Sequence, residues 1–423
     1  MSAAKPRATL AVRRAQLATC DRGPSDPGLL PGGAVALAGE TVAWTGPDAE
    51  LERAVDLAGA EVVDARGGLV TPGLVDAHTH LLFAGDRSGE FALRCAGKSY
   101  LEIAAAGGGI GATTRATAAA SDEALLEAAV ARARRLLAQG VTTVEVKSGY
   151  GLEPEAELRL LGLIHQLGHA LRDELTVVPT LLAHAVPPAR AASREAHVAE
   201  LAGQLVPAAA LGGLAQACDV FVEQGAFTPE EARAILGAAR AAGLTTRVHV
   251  DQLTPGRGAQ LAAELGCASA DHLEAIDEEG IQALARAGVV AGLLPTATFF
   301  LGLERYAPGR RLLDAGATVA LATNLNPGSA MTENVGLTLS LACLKLGLTA
   351  AEALVAFTAG SALALRRPSA GRLAPGADAD LVVWGAATPE HLAWHLGMNH
   401  AQVVVRRGRV VHRAGPEAVD CRE

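Results

Sequence analysis

Two histidines one residue apart, His78 and His80, close an apolar run that carries Asp76 and is headed by Thr71-Pro72-Gly73. Strand side chains alternate faces, so His78 and His80 point one way and Thr79 the other. Two imidazoles on one side of a strand end can both ligate one borderline-soft divalent ion, zinc being the usual choice. A lone His-x-His is more often a pair of polar residues on an exposed strand. Here the preceding Thr-Pro-Gly-Leu-Val-Asp and the following Arg87 favour the ligand reading. His249, at the end of the apolar run in VHVDQL with Gln252 three residues on, is the candidate third ligand. His272, in SADHLE, is either a fourth ligand or a group that orients an attacking water. His184 in LLAHAVPP stands alone, and a single histidine there is more often structural. Tyr150 in EVKSGYG either donates its hydroxyl to a substrate or is a rim aromatic, and Lys147 in the same segment reads as structural. ATNLNPGSA supplies Asn324, Asn326, Gly328 and Ser329, which are also ordinary turn residues. The other histidines (His165, His169, His197, His391, His395, His400, His412) read as surface or packing residues. The glycine run at 107–111 lacks the preceding strand and the following Lys-Ser/Thr of a phosphate-binding loop.

These side chains need elements that bring them together. From Leu74 onward, apolar runs of strand length alternate with segments of helical period. The strand candidates begin at Leu74 and continue at 141–146, 175–179, 217–222, 245–250, 269–272, 289–294 and 318–322. Helices are expected between them, at 121–139, 154–171, 228–242, 258–265, 278–287 and 310–315, and 188–205 is expected to be largely helical. Ser121 and Thr228 are caps, and Gly140 is a stop. Residues 349–366 read as a closing helix. Eight strand candidates separated by helices are the pattern of a (β/α)8 barrel, whose catalytic groups sit at the C-terminal ends of its strands. Residues 9–69 and the C-terminal stretch hold short strands and turn chemistry instead. Neither end alone can bury two faces of a sheet, so the two are expected to pair. The expected architecture is α/β: a TIM-like (β/α)8 barrel over 70–369, and a small β-sandwich domain composed from 1–69 and 370–423.

The 423 residues fit a barrel plus a smaller unit. Half of them are apolar but only 3% are aromatic, so packing relies on small aliphatic side chains. With 36 basic and 45 acidic residues the net charge is −9, which argues against nucleic acid as a partner. Six scattered cysteines without a C-x-x-C read as reduced thiols, mostly in the core, and place the chain in the cytoplasm. No apolar segment follows Arg13 and Arg14 as in a signal peptide, and the charge-free run 287–303, broken by Gly292 and Pro295, is short of a membrane span.

TPGLVDAHTH resembles the first-strand metal motif of the amidohydrolase superfamily, whose members cleave C–N bonds with metal-activated water inside a (β/α)8 barrel. The segments GKSYLEIAAAGGGIGATTRAT (97–117), EVKSGYGLEPEAELRLL (145–161), LLAHAVPP (181–188), VHVDQL (248–253), SADHLE (269–274) and NPGSAMTEN (326–334) are similar in order and spacing to those of the imidazolonepropionase family. The resemblance implies hydrolytic ring opening of 4-imidazolone-5-propanoate to N-formimidoyl-L-glutamate, the third step of histidine degradation. It implies one Zn²⁺ or Fe³⁺ per subunit, held by His78, His80, His249 and position 324, and a homodimer. It also implies that Arg87 pairs with the propionate carboxylate of a small substrate, a task for which a guanidinium fork is suited. Tyr150, His184 and Gln252 would line the ring pocket, and His272 would contact the substrate or the nucleophilic water. Asn326, Gly328 and Ser329 would hold the carboxylate end of the product.

The chain departs from the family pattern ATD-x-NPGS at one place, with Asn324 where that pattern has aspartate. A neutral amide oxygen is a poorer zinc ligand and cannot act as a general base at neutral pH. Three readings follow: an active hydrolase with His272 as the base, a relative that binds without chemistry, or another cyclic amidase or deaminase on the same barrel. Arg87 and the NPGS turn argue against the last, since a deaminase needs no carboxylate clamp.

Overall fold

The computed structural model describes residues 5–98, 102, 107–415 and 420. Residues 99–101 and 103–106 of the segment 97–117, and Cys421, lie outside these. Sixteen strands are assigned among the described residues. β1 (Leu10–Ala18), β2 (Leu29–Ala38), β3 (Thr41–Pro47), β4 (Glu61–Asp64) and β5 (Leu69–Pro72) come first. β6 (Leu74–Asp76), β7 (Val141–Lys147), β8 (Thr176–Ala183) and β9 (Ala217–Val222) follow. Then come β10 (Thr245–Val250), β11 (Ser269–His272), β12 (Val290–Leu293) and β13 (Val319–Leu321). β14 (Leu381–Trp384), β15 (Ala401–Arg406) and β16 (Arg409–Arg413) end the chain.

β6 to β13 form one eight-stranded sheet in chain order, every pairing parallel. The helices between them fall where the periodicity and caps put them. Ser121 Oγ accepts from Ala124 N (3.2 Å), and Thr228 with Glu231 makes a reciprocal capping box. The 188–205 segment is helical throughout but changes its winding. A 3₁₀ turn (Pro188–Ser193), an α-helix (Arg194–Glu200) and a widened π turn (Leu201–Leu205) succeed one another. The widening falls just before Pro207, whose ring and missing N–H disturb the α ladder.

β13 and β6 carry no ladder between them, and the cylinder is drawn shut at its mouth instead. Asp76, on β6, accepts from Thr323 N (3.2 Å) and Thr323 Oγ1 (2.6 Å). Beyond it, Asn324 N donates to His78 O (3.1 Å) and His80 N to Leu325 O (2.9 Å). The backbone that joins the first and last strands thus carries three of the candidate site residues.

The termini build the other sheet, ordered β16-β15-β14-β5-β1-β2-β3, with β4 also on β1. A bulge at Arg13–Arg14 turns β1, with Arg14 at φ 54°, so its first half pairs with β4 and its second with β5. The sheet curls until residues before β14 reach β3: Val42 N donates to Ala377 O (2.8 Å) and Ala379 N to Glu40 O (2.9 Å). Val12, Val35, Val42, Val70, Val383 and Val405 pack inside the curl. β5 belongs to this sheet and β6 to the barrel, so the chain changes sheets at Gly73. Among the described residues no helix is long and apolar enough to cross a membrane. Cys20, Cys218 and Cys267 are buried free thiols, and Cys95 is an exposed one.

Candidate active site

β6 ends at Asp76, so His78 and His80 sit just past the strand, in the stretch stitched to residues 324–325. His249 lies within β10, where an inward-facing side chain can meet them across the barrel mouth. Ring nitrogens of His78, His80 and His249 all lie within 4.8 Å of one another, and the three residues are buried. The His78 and His249 ring centroids are 4.4 Å apart.

Beneath these rings is a charged layer. His78 Nδ1 bonds Asp271 Oδ2 (2.7 Å), and His249 Nδ1 bonds Asp219 Oδ1 (2.9 Å). A carboxylate on Nδ1 keeps the proton there and turns the Nε2 lone pair toward the mouth. Asp219 is shared with Lys147 Nζ (2.7 Å), which also meets Glu145 Oε1 (2.6 Å). Asp271 is shared with Arg247 Nη2 (2.9 Å), which donates in addition to Ala77 O. Glu145, Lys147, Asp219, Arg247 and Asp271 are all fully enclosed. Lys147 is therefore a rigid buried cation between two carboxylates rather than part of a flexible loop. The sequence reading passed over Asp219, Asp271, Glu145 and Arg247. Their signal was a charge inside an otherwise apolar strand, as in ACDVFV, where a buried side chain needs a partner.

Burial holds the imidazoles of His78, His80 and His249 well below their ordinary pKa, helped by Lys147 near His78 and His249. All three are neutral and have lone pairs to give. Among the described residues, His78 Nε2, His80 Nδ1, His249 Nε2 and Asn324 Oδ1 are buried without a hydrogen-bond partner. Unmet polar atoms are costly in an interior, and three histidines whose ring nitrogens meet within 4.8 Å, with Asn324 lining the same cavity as His80 and His249, fit a cation. The donor set suits a metal ion, with every direct donor neutral and the negative charge held one step out by Asp219 and Asp271.

Asn324 has φ 55°, a left-handed conformation that asparagine and aspartate tolerate better than other side chains. A small cavity of about 80 Å³ lies over the rings, lined by His80, Tyr150, His184, Gln252, His272 and Asn324, with Phe221, His249, Asn326 and Ser329 completing it. His184 stacks on His80 with centroids 5.6 Å apart, and its Nδ1 lies 3.1 Å from Gly149 O. Burial lowers the pKa of His184 to about 4. His272 is buried, with Nδ1 unpartnered and 3.7 Å from Glu274 Oε1, and its φ of 85° is a strained backbone of the kind that collects at functional sites.

Arg87 lines a neighbouring cavity of about 480 Å³ with Phe83, Phe91 and Pro327. The 326–329 turn separates the two cavities, Pro327 facing one and Asn326 and Ser329 the other. Arg87 Nη2 is held by Glu90 Oε2 (2.7 Å), whose other oxygen accepts from Gly109 N (3.1 Å). A Cβ at position 328 would lie 2.3 Å from Arg87 Nη1, so a glycine there is what lets the guanidinium approach the turn. Asn326 spends its side chain inside that turn. Its Oδ1 accepts from Gly328 N and Ser329 N (both 2.8 Å), and its Nδ2 donates to Asn324 O (2.7 Å).

The amidohydrolase family model matches residues 102–412. An imidazolonepropionase from Anaeromyxobacter dehalogenans is 67% identical over 99% of this chain and 100% of that protein. One from Myxococcus xanthus is 54% identical, over 90% of this chain and 91% of its own length, and one from Geobacillus kaustophilus is 46% identical, with 92% of each covered. Among solved structures, a 5-methylcytosine deaminase from Klebsiella pneumoniae superposes with a TM-score of 0.73 over 97% of this chain and 100% of that one, at 17% identity. At that identity the likeness speaks for the fold alone. The chain belongs to the amidohydrolase family and, within it, to the imidazolonepropionases. It is a hydrolase.

Proposed function

We propose that the chain hydrolyses 4-imidazolone-5-propanoate to N-formimidoyl-L-glutamate in histidine degradation, with one zinc or iron ion held by His78, His80 and His249 beside Asn324. The observation that carries this reading is the meeting of the His78, His80 and His249 ring nitrogens within 4.8 Å beside Asn324, with a guanidinium on the other side of one short turn. An N₃O donor set accepts either metal. The bound ion would polarise the ring carbonyl and acidify a water.

The protein's own groups do the rest. Asp219 and Asp271 hold two of the imidazoles in the ligating tautomer. Tyr150, His184 and Gln252 line the cavity in which the ring would sit. Arg87, steadied by Glu90, would grip the propionate, and Asn326, Gly328 and Ser329 would form the wall against which the carboxylate end of the product rests. Asn324 cannot accept a proton at neutral pH, so the proton of the attacking water passes to His272. From there it is returned to the ring nitrogen as the C–N bond breaks.

Turnover of 4-imidazolone-5-propanoate by metal-loaded protein tests this, run beside a panel of cyclic amides and deaminase substrates. The expected result is ring opening by the parent protein with a pH profile governed by an imidazole, slowed by a factor of about 10²–10⁴ in His272→Ala, while Asn324→Asp changes the rate without changing substrate choice. Tight substrate binding and no turnover in the parent, with turnover only in Asn324→Asp, would instead mark a protein that binds without chemistry.

A further inference from the structure

A second group of ligand-type side chains gathers away from the barrel mouth: Glu153, His197 and Glu200, whose donor atoms all lie within 4.8 Å of one another. Glu153 is the N-cap of helix Pro154–Ala170, three residues beyond Tyr150. His197 and Glu200 lie on helix Arg194–Glu200, in the segment that follows His184. His197 is fully buried, and among the described residues neither of its ring nitrogens has a hydrogen-bond partner. Such an imidazole is an exception among buried polar groups. Burial holds its pKa below the ordinary value, so it is neutral with a lone pair to offer.

The two carboxylates face one guanidinium. Arg190 Nε and Nη2 reach Glu153 Oε1 and Oε2 (3.1 and 3.0 Å), and Nη2 also reaches Glu200 Oε2 (3.2 Å). Arg194, the next arginine along, is already taken by Glu231 and Ala226 O. The cluster keeps one uncompensated negative charge and one unmet nitrogen ligand.

We propose that Glu153, His197 and Glu200 form a second metal site, taking one divalent transition ion such as zinc through an imidazole nitrogen and two carboxylate oxygens, with Arg190 the internal cation that the ion displaces. One nitrogen and two carboxylates are a donor set of the kind zinc accepts. The Arg190 side chain is 33% exposed and can swing to solvent. A bound ion ties the loop that carries Tyr150 to the segment that carries His184, two walls of the cavity over the barrel-mouth histidines. Its role is to brace that cavity rather than to take part in chemistry.

Calorimetric titration of zinc into protein already dialysed to one equivalent per chain tests this. A second equivalent should bind to the parent, and its affinity should fall about tenfold or more in His197→Ala and in Glu200→Gln. It should tighten in Arg190→Ala, where the competing cation is gone. Added zinc should raise the thermal midpoint of the parent but not of His197→Ala. Absence of a second equivalent in the parent would overturn the proposal. So would a second equivalent that neither His197→Ala nor Glu200→Gln weakens. If His197→Ala fails to fold, Glu200→Gln carries the test, since it keeps the size and neutralises one ligand.

Discussion

Asparagine at 324 leaves the barrel-mouth cluster with neutral donors only, so a cation there draws its balancing charge from Asp219 and Asp271 through the imidazole Nδ1 protons. Burial presses both carboxyls upward; Arg247 and Lys147 outweigh it at Asp271, whose pKa is lowered, and only oppose it at Asp219, whose pKa stays raised. Asp219→Asn tests this arrangement. The side chain keeps its shape, and Lys147 keeps Glu145, so the chain should still fold. Metal affinity should drop about 10–100-fold, as when a partner of a metal-ligating histidine is lost. Competition against a chromophoric chelator measures it. An unchanged affinity would mean that the imidazole orientation does not depend on the carboxylate.

Two elements decide where the metal-ligand candidates end up. The first is the crossover at Gly73, between a strand of the terminal sheet and the first strand of the barrel. A Cβ there would fall 2.1 Å from Thr142 Oγ1 and 2.6 Å from its Cγ2. Thr142 is buried on β7 and β-branched, so it has little room to turn aside. Gly73→Ala should therefore destabilise the protein by roughly 1–3 kcal/mol, the usual penalty of overpacking, seen as a lower denaturant midpoint at unchanged slope. The second is the seam between β6 and β13, where Asp76 and Thr323 substitute for a ladder. The same few backbone bonds that close the barrel bring residue 324 beside His78.

At the scale of the molecule, the two sheets meet around Asp380. Its carbonyl accepts from Gly73 N (2.9 Å), and its Oδ1 accepts from Arg407 N (2.7 Å). Burial pushes its carboxyl up to about 6, with Asp378 adding to the shift and Arg406 opposing it. A carboxyl raised in the folded state contributes stability in full below its unfolded value of about 3.9, and loses that contribution as pH rises through about 6. Asp380→Asn has no charge to bury. The stability of the variant relative to the parent should therefore rise between pH 4 and pH 7, by up to about 3 kcal/mol. Thermal midpoints of metal-free parent and variant across that range measure it, and a constant difference would refute it.

Much of this was legible in one dimension. Alternating helix and strand periods, with Ser121 and Thr228 as caps, specify the barrel because local propensity and binary pattern agree along 74–322. The types and positions of His78, His80 and His249 mark them as ligand candidates, and the fold brings their ring nitrogens within 4.8 Å of one another. The change from α to π winding ahead of Pro207 has no local signal beyond the proline itself, and the burial of His197 is invisible from its place in a polar helical run. What only the folded chain decides is pairing over distance. Asp271 lies 193 residues from His78, and Asp219 lies 30 from His249. Which carboxylate meets which ring depends on strand order and register around the cylinder, and neither is encoded in any local window. A sequence shows which groups need partners, whereas closure of the barrel chooses them.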